Sequence, residues 1–182
     1  MSSTATRVEH DLLGDKEVPA DAYYGVHTVR ALENFPISHV PMSVHRHLVN
    51  ALAAVKEAAA LANVELGLLE KRKADAIVCA CEEIRSGKLH DQFVVGVIQG
   101  GAGTSANMNA NEVVANRALE RLGHPRGDYR ALHPLDDVNM SQSTNDVYPT
   151  ALRVASLWSI QGLLQGMGEL RRAFEAKSEE FA

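Results

Sequence analysis

The 182-residue chain is poor in aromatic residues, which make up 5% of it, and it holds two cysteines, six prolines and one tryptophan. Cys79 and Cys81 stand two apart. On a helix they would point about 200° from one another, so they do not pair, and two sulfurs are too few for a structural zinc site. Such sparing use of cysteine fits a reducing compartment, and the cytoplasm is the expected location. No run approaches 18 uncharged apolar residues, which excludes a helix spanning a membrane. The opening MSSTATRVEHD has no apolar segment of the kind a signal peptide carries. Positive charge is not in excess either: 18 Lys and Arg stand against 23 Asp and Glu, for a formal net charge of −5. Counterion release has little to draw on, so nucleic acid is excluded as a main partner. The longest basic run, Lys71-Arg72-Lys73, reads as a solvated helix turn.

What is present is globular: 46% hydrophobic and 23% charged residues, with 25 alanines. Alanine is the best helix former, so the composition favours helices packed closely on small side chains. The length suits one well-buried domain, or somewhat more. Residues 1–42 are broken by Pro19, Pro36 and Pro41, and the β-forming Tyr23–Thr28 lies between them, so turns and a small hairpin are expected there. The spacing of Val44, Leu48, Leu52, Val55, Ala59 and Ala62 predicts a helix over 43–63, with Ser43 as its N-cap. Ala74, Ile77, Cys81 and Ile84 predict a second over 70–86, stopped by Gly87. A β-branched run, Phe93–Ile98, precedes a glycine-rich loop, and a third helix is expected over 106–122, ended by Gly123 and Pro125. After a loop over 124–146, a long helix is expected from Pro149, a residue suited to the first helical position, to Phe181. It would be roughly 50 Å long. Its apolar residues fall on two sides, so it calls for partners that residues 150–182 do not supply.

Three constellations can carry chemistry. Gly100-Gly101-Ala102-Gly103-Thr104-Ser105 opens a helix, and glycines with a helix N-terminus suit an anion, with the Thr104 hydroxyl as a further donor. A tight turn between packed elements explains the same residues. The spacing Gly101-x-Gly103-x-x-Ala106 imitates a dinucleotide fingerprint, but no second strand follows, and Glu120 sits within a helix. The second constellation is Asn107, Asn109, Asn111 and Asn116, since asparagine is a poor interior helix residue. Asn107 and Asn111 share a face, which suggests buried polar contacts near a site, although each alone could satisfy a neighbouring backbone group. The third is Ser141–Asp146 at the entrance of the long helix. One cap needs one residue, and Ser143, Thr144 and Asn145 exceed that need, so they could form a donor cluster for a carboxylate. His133 with Asp136 and Asp137 has no specific metal-ligand spacing.

Taken together, three segments resemble the aspartase/fumarase superfamily: Asp11–Ser38 (DLLGDKEVPADAYYGVHTVRALENFPIS), Gln99–Glu120 (QGGAGTSANMNANEVVANRALE) and His133–Ala155 (HPLDDVNMSQSTNDVYPTALRVA). The Ala-Tyr-Tyr-Gly-Val-His-Thr form resembles the ammonia-lyase branch acting on L-aspartate rather than the fumarate hydratases. The resemblance implies a mainly α fold. Residues 1–146 would form an N-terminal, mostly helical lyase domain with a small β element, and residues 147–182 the first long helix of a central helical bundle. It implies reversible elimination of ammonia from L-aspartate to give fumarate, with Thr104, Ser143, Thr144 and Asn145 binding substrate. It also implies a homotetramer in the full-length form, no cofactor and no assigned metal ligand, with divalent-cation activation left open. Leu135-Asp136-Asp137 departs from the family's Asn-Asp-His, and Met140 stands where many members have lysine. The family's later Gly-Ser-Ser loop, which brings the serine base and a carboxylate-binding lysine, has no counterpart in residues 1–182. The chain is therefore expected to be a truncated subunit, inactive alone, with no catalytic base of its own. A fumarate hydratase and a non-catalytic helical fragment are the alternatives.

Overall fold

The computed structural model describes residues 5–182. The fold is mainly α, with one antiparallel hairpin, β1 (Thr6–Asp11) and β2 (Gly14–Pro19), paired from Thr6 with Pro19 to Asp11 with Gly14. Five α-helices follow: α1 (Val26–Asn34), α2 (Arg46–Glu65), α3 (Lys71–Arg85), α4 (Thr104–Arg121) and α5 (Thr144–Glu180). Among the described residues no helix is long and apolar enough to cross a membrane.

The centre of the fold is α4, buried without a break from Ala106 to Asn116. Its alanines and valines let α3 and α2 approach closely, and Leu52, Ile77, Ile84, Phe93, Val113 and Leu119 fill the space between. The expected face of α3, Ala74, Ile77, Cys81 and Ile84, is buried as a set. Both α3 and α4 stop at left-handed glycines. Lys88 N–H donates to Glu83 C=O and His124 N–H to Leu119 C=O, the bonds of a Schellman ending on Gly87 and Gly123.

Several elements differ from expectation. The hairpin lies at 6–19, and Val26–Asn34 is helical although its start is rich in β-formers. Two buried carboxylates account for this. Glu9 accepts from Val26 N–H, and Glu112 accepts from the N–H groups of Gly25, His27 and Thr28 and from the Thr28 hydroxyl. They satisfy the orphan donors of the first turn and outweigh intrinsic propensity. Ser43 is not an N-cap: Met42–Val44 forms a 3-10 turn, and α2 begins at Arg46 without a side-chain cap. The buried face of α2 is rotated from the predicted stripe and carries Lys56 and Asn63 beside Leu48, Leu52 and Ala60. The run Phe93–Ile98 bonds to residues 40–43 through Met42 N–H, Ser43 N–H and one bridge, without becoming a strand.

The last helix starts five residues before Pro149. Ser143 and Asp146 form a capping box, in which Ser143 Oγ accepts from Asn145 N–H and Asp146 Oδ1 from Ser143 N–H, and this fixes the first turn. Pro149 therefore lies inside the helix rather than opening it. With 37 residues, α5 is about 55 Å long. Only Val147, Ala151 and Ala155 are buried, against the core and α2. Leu163 is 62% exposed and Phe174 68%, so the apolar sides expected to want partners stand open among the described residues.

Candidate functional site

The starts of α4 and α5 adjoin. Gly103, at φ +82°, precedes Thr104, and a Cβ there would collide with the Tyr148 ring on the second turn of α5. Glycine is thus required both for the left-handed backbone and for the close approach. Gln99 steadies the loop: its Oε1 accepts from Ala106 N–H at 2.8 Å and its Nε2 donates to Gly96 C=O at 3.1 Å. A second link joins the helices directly, from Asn107 Nδ2 to Thr144 Oγ1 at 3.1 Å.

The four residues singled out from sequence sit at these two helix starts. Thr104 is the first residue of α4 and exposed. Ser143 is the N-cap of α5 and accepts from Asn145 N–H at 3.2 Å, so the capping explanation covers this residue. Thr144 is half-buried and receives the Asn107 bond; Asn145 is exposed. Among the described residues, the Thr104 and Asn145 side chains bond to no other group, which leaves their donors free. Beside them lies a cleft of about 380 Å³, lined in part by Gln99, Gly101, Gly103, Tyr148 and Pro149. A larger groove of about 850 Å³, past His45, His47, Leu152 and Ile160, shares Tyr148 with it, and none of the four lines either space.

The four asparagines of α4 divide. Asn109 and Asn116 serve backbone groups: Asn109 Nδ2 donates to Gln92 C=O at 2.9 Å, and Asn116 bonds Tyr23 C=O and Gly127 N–H. Asn107 and Asn111 instead turn toward the start of α5, where both reach Asn139 Oδ1 at 3.1 and 3.2 Å. Behind them lies buried Lys56, which the predicted stripe leaves out. Its Nζ bonds Asn139 Oδ1 at 2.7 Å and Gln142 Oε1 at 2.9 Å, and burial pulls its ammonium down to about 7. The signal that could have found it is spacing: Lys56 stands four residues after Leu52 and four before Ala60, on the buried face.

The loop before α5 contains one π-helical turn, Pro134–Val138, capped by His133, whose Nδ1 accepts from Leu135 and Asp136 N–H at 3.2 Å each. Asp137 is held by Lys73 at 2.9 Å and accepts from His133 N–H at 2.7 Å. These are structural duties, and among the described residues no three His, Cys, Asp or Glu side chains gather as a metal site.

A family model described simply as Lyase matches residues 14–182, and the chain belongs to that family. Among its relatives are aspartate ammonia-lyases. That of Pseudomonas aeruginosa is 57% identical over 98% of this chain and 38% of its own length, and that of Bacillus subtilis 54% over 96% and 36%. A Brucella melitensis structure described as fumarate lyase:delta crystallin has a TM-score of 0.96 at 59% identity, covering 98% of this chain and 41% of that one. A class II fumarase from Schistosoma mansoni reaches 0.77 at 39% identity, covering 83% and 32%. The chain thus spans about 38% of the length of the first of these curated relatives.

Proposed function

We propose that this chain is the N-terminal portion of an aspartate ammonia-lyase and contributes the carboxylate-binding part of its active site. The observation that carries the reading is the meeting of the Thr104 and Thr144 helix starts through the Asn107–Thr144 bond, within a chain 57% identical to a named aspartate ammonia-lyase. In the reaction, a base takes the proton from the carbon beside the β-carboxylate. The electron pair builds a second negative charge on that carboxylate, the aci-carboxylate, and then forms the double bond as ammonia leaves the neighbouring carbon. Fumarate is the product.

The rate depends on donors fixed where the charge develops. The hydroxyls of Thr104, Ser143 and Thr144 are the donors in this reading, together with the backbone N–H groups at both helix starts. The Asn145 amide takes the amino group or a carboxylate. The base belongs to a segment outside residues 1–182. Proton transfer and loss of ammonia need donors and a base, so the reading calls for no organic cofactor. Residues 1–146 act as the N-terminal domain and 147–182 as the opening of a central helical bundle. The open apolar sides of α5 support assembly with other subunits, as a homotetramer. Cytoplasmic location follows from the cysteine usage.

The test is a fusion of residues 1–182 in frame to the remainder of the Pseudomonas aeruginosa relative, assayed for fumarate at 240 nm. Fumarate and ammonia from L-aspartate are expected. Turnover of L-malate without turnover of L-aspartate would replace this reading with a fumarate hydratase.

A further inference from the structure

The polar cluster beneath the start of α5 has a direction, and that direction bears on Thr144, provided Thr144 is a substrate donor as proposed above. Lys56 is fully buried on α2 and presents Nζ to Asn139 Oδ1 and Gln142 Oε1. An ammonium has three donors and no acceptor. Both amides must therefore turn their oxygens toward it. Asn139 Oδ1 is then an acceptor for every group that reaches it, so Asn107 and Asn111 must present their nitrogens, at 3.1 and 3.2 Å. With the Asn107 amide fixed in this sense, its second N–H points at Thr144 Oγ1, 3.1 Å away. The Thr144 oxygen accepts from the interior, and its own hydroxyl hydrogen is left to be donated outward.

The same chain of constraints explains an otherwise costly feature. Among the described residues, Asn107 Oδ1 and Asn111 Oδ1 are buried with no partner. Buried acceptors without donors are rare and destabilising. Turning either amide over would set its oxygen against Asn139 Oδ1, an acceptor facing an acceptor. Burial pulls Lys56 to about 7, yet the neutral amine still has two N–H groups for its two oxygen partners, so the polarity survives its titration.

We propose that Lys56, acting through Asn139 and Asn107, sets the polarity of the Thr144 hydroxyl and holds it as a hydrogen-bond donor to the substrate carboxylate. Lys56, Asn139 and Asn107 are positioning residues here, since each acts through the Thr144 hydroxyl. The arrangement favours an acceptor ligand, a carboxylate, over a donor at this helix start.

A double-mutant cycle in the fusion tests it. Thr144→Val is expected to lower kcat/KM for L-aspartate by about 10²-fold or more, and Asn107→Ala by about 10- to 100-fold. In the Thr144→Val background, Asn107→Ala should add less than about twofold, because the hydroxyl it orients is gone. Thr144→Ser should keep most activity together with full sensitivity to Asn107→Ala. Losses that multiply in the double variant would overturn the polarity while leaving Thr144 its role. A Thr144→Val fusion as active as its parent would instead overturn the function on which it rests. A second measurement is independent of turnover and of the folding of the Asn107 variant. In side-chain amide NMR of the 182-residue chain, both Asn107 hydrogens should exchange slowly, and Thr144→Val should release one of them. Unchanged protection of both would also overturn the proposal.

Discussion

Two polar clusters are buried on the same helix, one residue apart, and they are built in opposite ways. Around Glu112 a carboxylate accepts four hydrogen bonds, from Gly25, His27 and Thr28, at 2.6 to 3.1 Å. Around Asn107 and Asn111 a lysine drives a chain of amides that leaves two carbonyl oxygens without partners. The first cluster is closed and ties α1 to α4. The second is incomplete and ends on the Thr144 hydroxyl at the start of α5. Satisfied burial secures the fold, whereas a buried network left partly unsatisfied marks where the fold has been shaped for something else.

The largest effect that would break this contrast is expected at Glu112. Glu112→Ala leaves four donors facing an empty space and should destabilise the chain by about 3–5 kcal/mol, read as a lower urea midpoint by circular dichroism. Thr144→Val, half-buried and similar in shape, should change stability by less than about 1.5 kcal/mol while removing most of the fusion's activity. Equal stability losses for the two would erase the distinction.

The pH dependence sharpens it. Burial pushes the Glu112 carboxyl up to about 7, above its ordinary 4.5. The folded state then binds more protons between these values, so the stability this group contributes is present at low pH and is lost as pH rises from about 4.5 to 7. Lys56 is lowered from 10.5 to about 7, so its contribution is present above 10.5 and is lost as pH falls toward 7. Urea midpoints of Glu112→Gln and Lys56→Met, each subtracted from the parent's, should vary with pH on the acid side of 7 for the first and on the alkaline side for the second. A flat difference in either window would remove that group's assigned shift.

The smallest effect is expected on α5. Leu163→Ser and Phe174→Ser lie on the open sides, so each should shift stability of the 182-residue chain by under about 0.5 kcal/mol. Both should reduce self-association in sedimentation runs, because they dilute an exposed apolar surface.

Much of the scaffold was legible from sequence. The periodicity of Ala74, Ile77, Cys81 and Ile84 and the stops at Gly87 and Gly123 follow from local rules that no distant contact overrides. The start of α1 was hidden because Glu9 and Glu112, far away in sequence, cap it from the interior. Pro149 misled because the Ser143–Asp146 capping box starts the helix first. In the candidate site, Thr104 stood out as a hydroxyl in a glycine-rich helix opening, and Ser143–Asn145 as an excess of donors at a helix entrance. Lys56, Asn139 and Gln142 did not, because Lys56 falls outside the predicted stripe and its amide partners stand 83 and 86 residues away in sequence.

The most direct measurement compares ammonia release from L-aspartate by the 182-residue chain and by the fusion, side by side. With donors in this chain and the base in the remainder, as proposed, only the fusion should release ammonia. Release by the 182-residue chain alone, abolished by Thr144→Val, would contradict it.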